Sequence, residues 1–127
     1  MPDKSSSTAL TSLLNWLRQR HTEIKKCEDK ALAALYDAKD EPAYRDLMRE
    51  RSGMIESLDR DAAKYITALP LPLREEVREQ LDGFAQGARN ALKLNSVFYM
   101  SALLYPDEHQ EGEPDNLEIL INELAEV

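Results

Sequence analysis

The stretch LREEVREQLDGFAQGARNALKLNSVFYMSALLY, residues 73–105, decides the fold. It follows Pro70-Leu71-Pro72 and holds no proline before Pro106. Val77, Leu81, Phe84, Ala88, Ala91, Asn95, Phe98, Ala102 and Tyr105 recur in alternating steps of four and three residues. That spacing predicts one amphipathic helix packed along a heptad-like seam. A helix of this length would span about 50 Å. Its second half is apolar almost all round, because Leu92, Leu94, Val97, Tyr99, Met100 and Leu103 carry the seam onto other faces. Such a helix lies at the centre of a bundle or beneath a partner.

Two more long helices precede it. Ser5, Ser6, Ser7 or Thr8 can cap the first, because a side-chain oxygen satisfies a free amide there. It runs to about Lys39 with Leu10, Leu14, Leu17, His21, Ile24, Glu28, Ala31 and Leu35 on its seam. Asp40 or Glu41 then caps a second helix, with Pro42 in the first turn, where its missing N–H costs nothing. That helix runs to about Ala68, its seam passing through Tyr44, Met48, Arg51, Ile55, Leu58, Ala62 and Tyr65. Short connections between long helices make neighbours antiparallel.

After Pro106 the chain is acidic and loop-like up to Pro114. Asp115 then stands three residues before Glu118, an acidic variant of the capping box. Leu117, Leu120, Ile121 and Leu124 follow at helical spacing. The expected fold is therefore all-α, an antiparallel bundle of three long helices plus a short C-terminal amphipathic helix. Residues 1–7 are expected to be disordered, 8–105 to form the bundle, 106–114 an acidic loop and 115–127 the last helix.

At 127 residues the chain is one domain by size. It holds 24 acidic and 16 basic side chains. From Asp107 onward there are eight acids and no lysine or arginine, so the net charge of −8 sits in the tail. That balance disfavours nucleic-acid binding through a basic face. No apolar run approaches the length of a membrane span, and the polar N-terminus offers no signal-peptide core. Cys27 is alone, so there is no internal disulfide framework. A soluble cytoplasmic protein is the expectation.

Each long helix interrupts its seam with polar residues. Antiparallel pairing across the two turns brings Glu28, Arg51 and Asn95 towards one level, so the three are read as a buried polar layer. Such a layer acts as a register device, since a slipped packing would leave its groups unpaired. His21 falls on the apolar seam and is read as structural; it lacks the Lys and Gly spacing of a phosphotransfer histidine. Cys27, among Lys25, Lys26 and Lys30, could have its pKa lowered, though a buried cysteine at the seam edge is the preferred reading. Cys27, His21 and His109 are too scattered for zinc, and no Glu-x-x-His pair supports a di-iron site. No nucleophile–base pair or paired carboxylates accompany the polar layer. No catalytic residue, metal or cofactor is therefore expected, and the protein is read as not an enzyme.

Three passages carry a family resemblance. Ala34-Leu35-Tyr36-Asp37-Ala38-Lys39-Asp40 with Tyr44 and Leu47, residues 47–58, and Leu92-Lys93-Leu94-Asn95-Ser96-Val97-Phe98 resemble the bacterial flagellar export chaperones for hook-associated proteins. The resemblance covers about residues 10 to 105. It implies a chaperone that shelters an amphipathic helix of a secreted client. The surfaces assigned to that partner are Val97, Tyr99, Met100 and Leu103, with Leu117, Leu120, Ile121 and Leu124 of the last helix. The tail is expected to fold back over the first four when no client is present. A homodimer is a further arrangement open to such surfaces. The alternative class is a regulatory or signalling helical adaptor.

Overall fold

A computed structural model describes residues 4–127. Of the segment expected to be disordered, residues 1–3 lie outside the described residues, and from Lys4 the chain is already helical. Six helices follow: α1 (Lys4–Tyr36), α2 (Glu41–Glu56), α3 (Leu58–Ile66), α4 (Leu73–Leu94), α5 (Val97–Ala102) and α6 (Asn116–Ala125). No strand occurs among the described residues, and the fold is all-α.

Three limbs make the bundle: α1, the α2–α3 pair, and α4. The first reversal is built as its residues require. Lys39 takes a left-handed φ of 55°, and Asp40 accepts the Ala43 amide at 3.1 Å with Pro42 in the first turn of α2. The second reversal follows Pro70 and Pro72, which deny the chain the amides needed to continue a helix. The α2–α3 limb packs against both α1 and α4.

Two limbs expected to be continuous are broken. Ser57 divides the second, its hydroxyl bonding back to the Met54 carbonyl at 3.2 Å. A hydroxyl that bonds to its own helix bends it. Ser57 stays close to helical dihedrals (φ −92°, ψ −1°), so the limb bends without turning away. The third limb ends at Asn95, whose φ of 51° and ψ of 40° are left-handed. The Ser96 amide reaches back to the Ala91 carbonyl at 3.2 Å and the Asn95 amide to Leu92 at 3.0 Å. This is a Schellman ending with Asn in the place usually held by glycine. Ser96 then starts α5 by accepting the Tyr99 amide at 3.2 Å.

The main core draws Leu13, Leu17 and Ile24 from α1, Ile55, Leu58 and Ile66 from α2–α3, and Val77 and Leu81 from α4. Leu117, Leu120, Ile121 and Leu124 of α6 complete it. The last helix lies on α1, and Leu120 and Leu124 also adjoin Leu73 and Val77 at the start of α4. It therefore fills the open side of the bundle along α1, starting beside Leu104, just past α5. The expectation that the tail covers Val97, Tyr99, Met100 and Leu103 is corrected: Leu117, Leu120, Ile121 and Leu124 bury into the main core with Leu13, Leu17 and Ile24 of α1, and Tyr99 stays exposed. A second, smaller cluster of Ala31, Met48, Ala91 and Met100 packs the other end.

Candidate functional site

The site grows from one buried charge. Arg51, on α2, is 1% exposed. Its Nη1 donates to the Met100 carbonyl and its Nη2 to the Leu103 carbonyl, both at 2.9 Å. Those carbonyls belong to the last turn and C-cap of α5, where a helix leaves oxygens without intrahelical donors. A six-residue helix is too short to be stable alone; the guanidinium holds its end in place and complements its dipole.

Glu28 of α1 neutralises Arg51, its Oε2 lying 3.7 Å from Nε. That spacing is an ion pair without a hydrogen bond, and Nε is a buried nitrogen with no acceptor. The carboxylate is satisfied from elsewhere: the Tyr105 hydroxyl donates to Glu28 Oε2 at 2.7 Å, and Lys25 Nζ lies 3.5 Å away. Burial first, and then this bond to Glu28, push the Tyr105 phenol above its ordinary value. The buried layer is thus Glu28, Arg51 and Tyr105 together with two main-chain carbonyls.

Asn95 does not belong to it, which corrects the sequence reading. It is exposed, and its Oδ1 accepts from Arg49 at 2.6 Å. The seam argument placed Asn95 inside by assuming an unbroken helix. A left-handed residue redirects the chain, so the faces before and after it do not share a phase. Met100 is buried beyond the break, while Phe98, Tyr99 and Leu94 are 72%, 55% and 65% exposed. Of the residues assigned to a partner, Val97 and Leu103 are half-buried, Met100 is buried, and Tyr99 alone is open. Leu117, Leu120, Ile121 and Leu124 are all core. Leu94 and Phe98, missed from that set, stand beside Tyr99. The signal that could have found them was the Asn95-Ser96 pair, a residue tolerant of left-handed dihedrals followed by an N-cap residue.

Leu94, Tyr99, Ala91, Ala102 and Leu103 line a shallow cleft of about 370 Å³ floored by Gly87. Ala102 also lines a larger cleft, about 1010 Å³, between α1 and the 106–114 loop. Leu32, Tyr105 and Pro106 lie in it, and Glu28, Asp29, Glu111 and Glu113 are among its acidic walls. The loop is closed at its base, where the Asn116 amide donates to the Leu104 carbonyl at 2.7 Å.

α6 is locked at its first turn. Asp115 and Glu118 form a reciprocal capping box, as their spacing implies. Asp115 Oδ2 faces His21 Nε2 at 2.9 Å, across 94 residues of chain. The bond to Asp115 raises the His21 pKa above its ordinary value, against the opposing effect of burial. Burial works to raise the Asp115 carboxyl, yet its bonds to His21 and to the Glu118 and Leu117 amides hold it lower. Among the described residues, His21, Asp115 and Glu118 bring one ligand atom each within 4.8 Å of one another. The pattern that left His21 without metal-binding companions could not show this, because both carboxylates come from the far end of the chain.

Two other side chains are accounted for. Cys27 is buried and donates to the Leu47 carbonyl at 3.2 Å; burial pushes its thiol up despite the nearby lysines. Arg89 of α4 binds Glu56 at 3.0 Å and Asp59 at 3.0 Å, clasping both sides of the Ser57 bend. A hydrogen bond from Arg60, and behind it one from Arg89, hold the Glu56 carboxyl down at about 2. No helix among the described residues is long and apolar enough to cross a membrane. Comparison with protein-family models, with characterised proteins and with solved structures found no match to this chain.

Proposed function

We propose that the protein is a non-enzymatic interaction module that receives an apolar helical segment of a protein partner on its α4–α5 face. The observation that carries this is the outward display of Leu94 and Tyr99 at the edge of an apolar cleft, with exposed Phe98 packed beside Tyr99. Covering such side chains contributes about 1.5–3 kcal/mol each. Exposed apolar side chains grouped beside a groove are a usual mark of a protein-binding surface. Their presentation is costly to maintain, since it relies on a buried arginine ordering a short helix. The resemblance of residues 34–58 and 92–98 to flagellar export chaperones supports a client that is a secreted, amphipathic segment.

A photo-crosslinking residue in place of Phe98, introduced in the native cell, tests the reading. One defined protein adduct is expected, lost when Tyr99→Asp is added, with no adduct from the same group at exposed Glu79. Equal labelling from both positions, or none from Phe98, overturns it.

A further inference from the structure

We propose that His21, Asp115 and Glu118 form a binding site for a divalent first-row transition ion of the zinc type, which fastens α6 to α1. The inference does not depend on the α4–α5 face or its partner. His21 Nε2 lies 2.9 Å from Asp115 Oδ2 and 3.6 Å from Glu118 Oε1. Ligands at the usual zinc distances, set tetrahedrally, stand about 3.3 Å apart. The two separations from His21 straddle that value, and all three ligand atoms lie within 4.8 Å of one another, so an ion can enter once the two carboxylates draw together around it. An imidazole with two carboxylates suits zinc and its neighbours better than calcium or magnesium, which take oxygen ligands in larger number.

The surroundings prepare the ligands. Asp115 is only 4% exposed, and its Oδ2 faces the imidazole while Oδ1 is held by the Glu118 amide at 2.9 Å. Glu118 Oε1 is likewise positioned by the Asp115 amide at 3.2 Å. Such outer bonds fix ligand orientation before an ion arrives. Glu111 and Glu113 stand in the same cleft and draw cations towards it. Lys25, one turn from His21, is an opposing charge, and Glu28 at 3.5 Å offsets it. On binding, the proton that joins His21 to Asp115 leaves to solvent, and the ion takes its place. Solvent or a partner's side chain completes the fourth position.

The test titrates zinc chloride into tag-free, chelator-washed protein, by calorimetry and by Tm. One ion per chain and a Tm that rises with zinc concentration are expected, with no such rise from magnesium. Glu118→Gln keeps a capping-box residue, so it folds, yet it should weaken zinc binding at least about tenfold. His21→Gln should do the same, and Cys27→Ser should leave zinc affinity unchanged. Cobalt in place of zinc should give the visible absorption of a four-coordinate ion, lost in Glu118→Gln. Zinc binding that is absent, or equal in wild type, His21→Gln and Glu118→Gln, overturns the site; equal binding would place the ion elsewhere on the acidic surface.

Discussion

Arg51 is the residue whose loss should be felt most. Replacing it with Met removes both donors to α5 and the buried partner of Glu28, which is left with only the partly exposed Lys25 as counter-charge. Breaking a buried pair in this way costs about 3–5 kcal/mol, measurable as a lower denaturation midpoint at unchanged slope. The double change Glu28→Leu with Arg51→Met should recover only part of that loss. It removes the orphaned carboxylate, but the Leu103 carbonyl still lacks a donor and the Met100 carbonyl keeps only the long bond from the Leu103 amide, 3.4 Å. Simple addition of the two single losses would show that the pair is not coupled. Tyr105→Phe is a milder cut, leaving one buried carboxylate oxygen without its donor, and should cost about 1–3 kcal/mol.

The joints decide matters at the scale of the element. Asn95→Ala forces an ordinary side chain into left-handed dihedrals, at about 1–2 kcal/mol, and loses the contact with Arg49. Asn95→Gly should be close to neutral, because glycine adopts that conformation freely. Equal losses for both would locate the effect in the Arg49 contact instead. The α6 joint is sensitive to pH. The folded His21 has a raised pKa, so its contribution is complete below the unfolded value of 6.5 and fades as pH rises through the folded one. Asp115 has a lowered pKa, so its contribution is complete above 3.8 and fades as pH falls through its folded value. Without metal, the anchor of α6 should therefore be strongest between about pH 4 and 6.5. Amide exchange of residues 116–125 should speed up as pH passes from 6 to 9 once intrinsic rates are removed. His21→Gln should abolish that trend.

The whole molecule depends on its tail. Removing residues 107–127 takes four buried side chains from the core, Leu117, Leu120, Ile121 and Leu124. At about 1.5–3 kcal/mol each, their loss approaches the entire net stability of a domain. The deletion also removes all eight tail acids and brings the net charge of −8 to zero, which favours aggregation. The truncated chain should lose its cooperative thermal transition and bind apolar dyes. A truncated protein with an unchanged Tm would mean that α6 adds nothing to the core. Because the apolar face of α6 packs into the main core and leaves Leu94, Phe98 and Tyr99 exposed, tail substitutions that preserve folding should leave binding at Phe98 unaltered, unlike a tail that competes with the partner.

Helix periodicity, the Asp40 and Asp115 caps and the proline turns are local properties, and the sequence alone determined them. The same holds for the all-α class and the meeting of Glu28 with Arg51, since two antiparallel helices joined by a known turn have nearly one register. What the sequence did not decide is where short elements settle. Leu117 to Leu124 form an apolar stripe that suits any apolar groove; only the competition between the α1–α4 groove and the α5 face assigned it. The Asn95 break shows the same limit at one residue. Asparagine accepts both helical and left-handed dihedrals at modest cost, so the choice fell to the packing of Met100 and the donors of Arg51. His21, Asp115 and Glu118 came together only because α6 chose that groove. Contacts between residues distant along the chain follow from the burial of whole surfaces, and no local pattern encodes that sum.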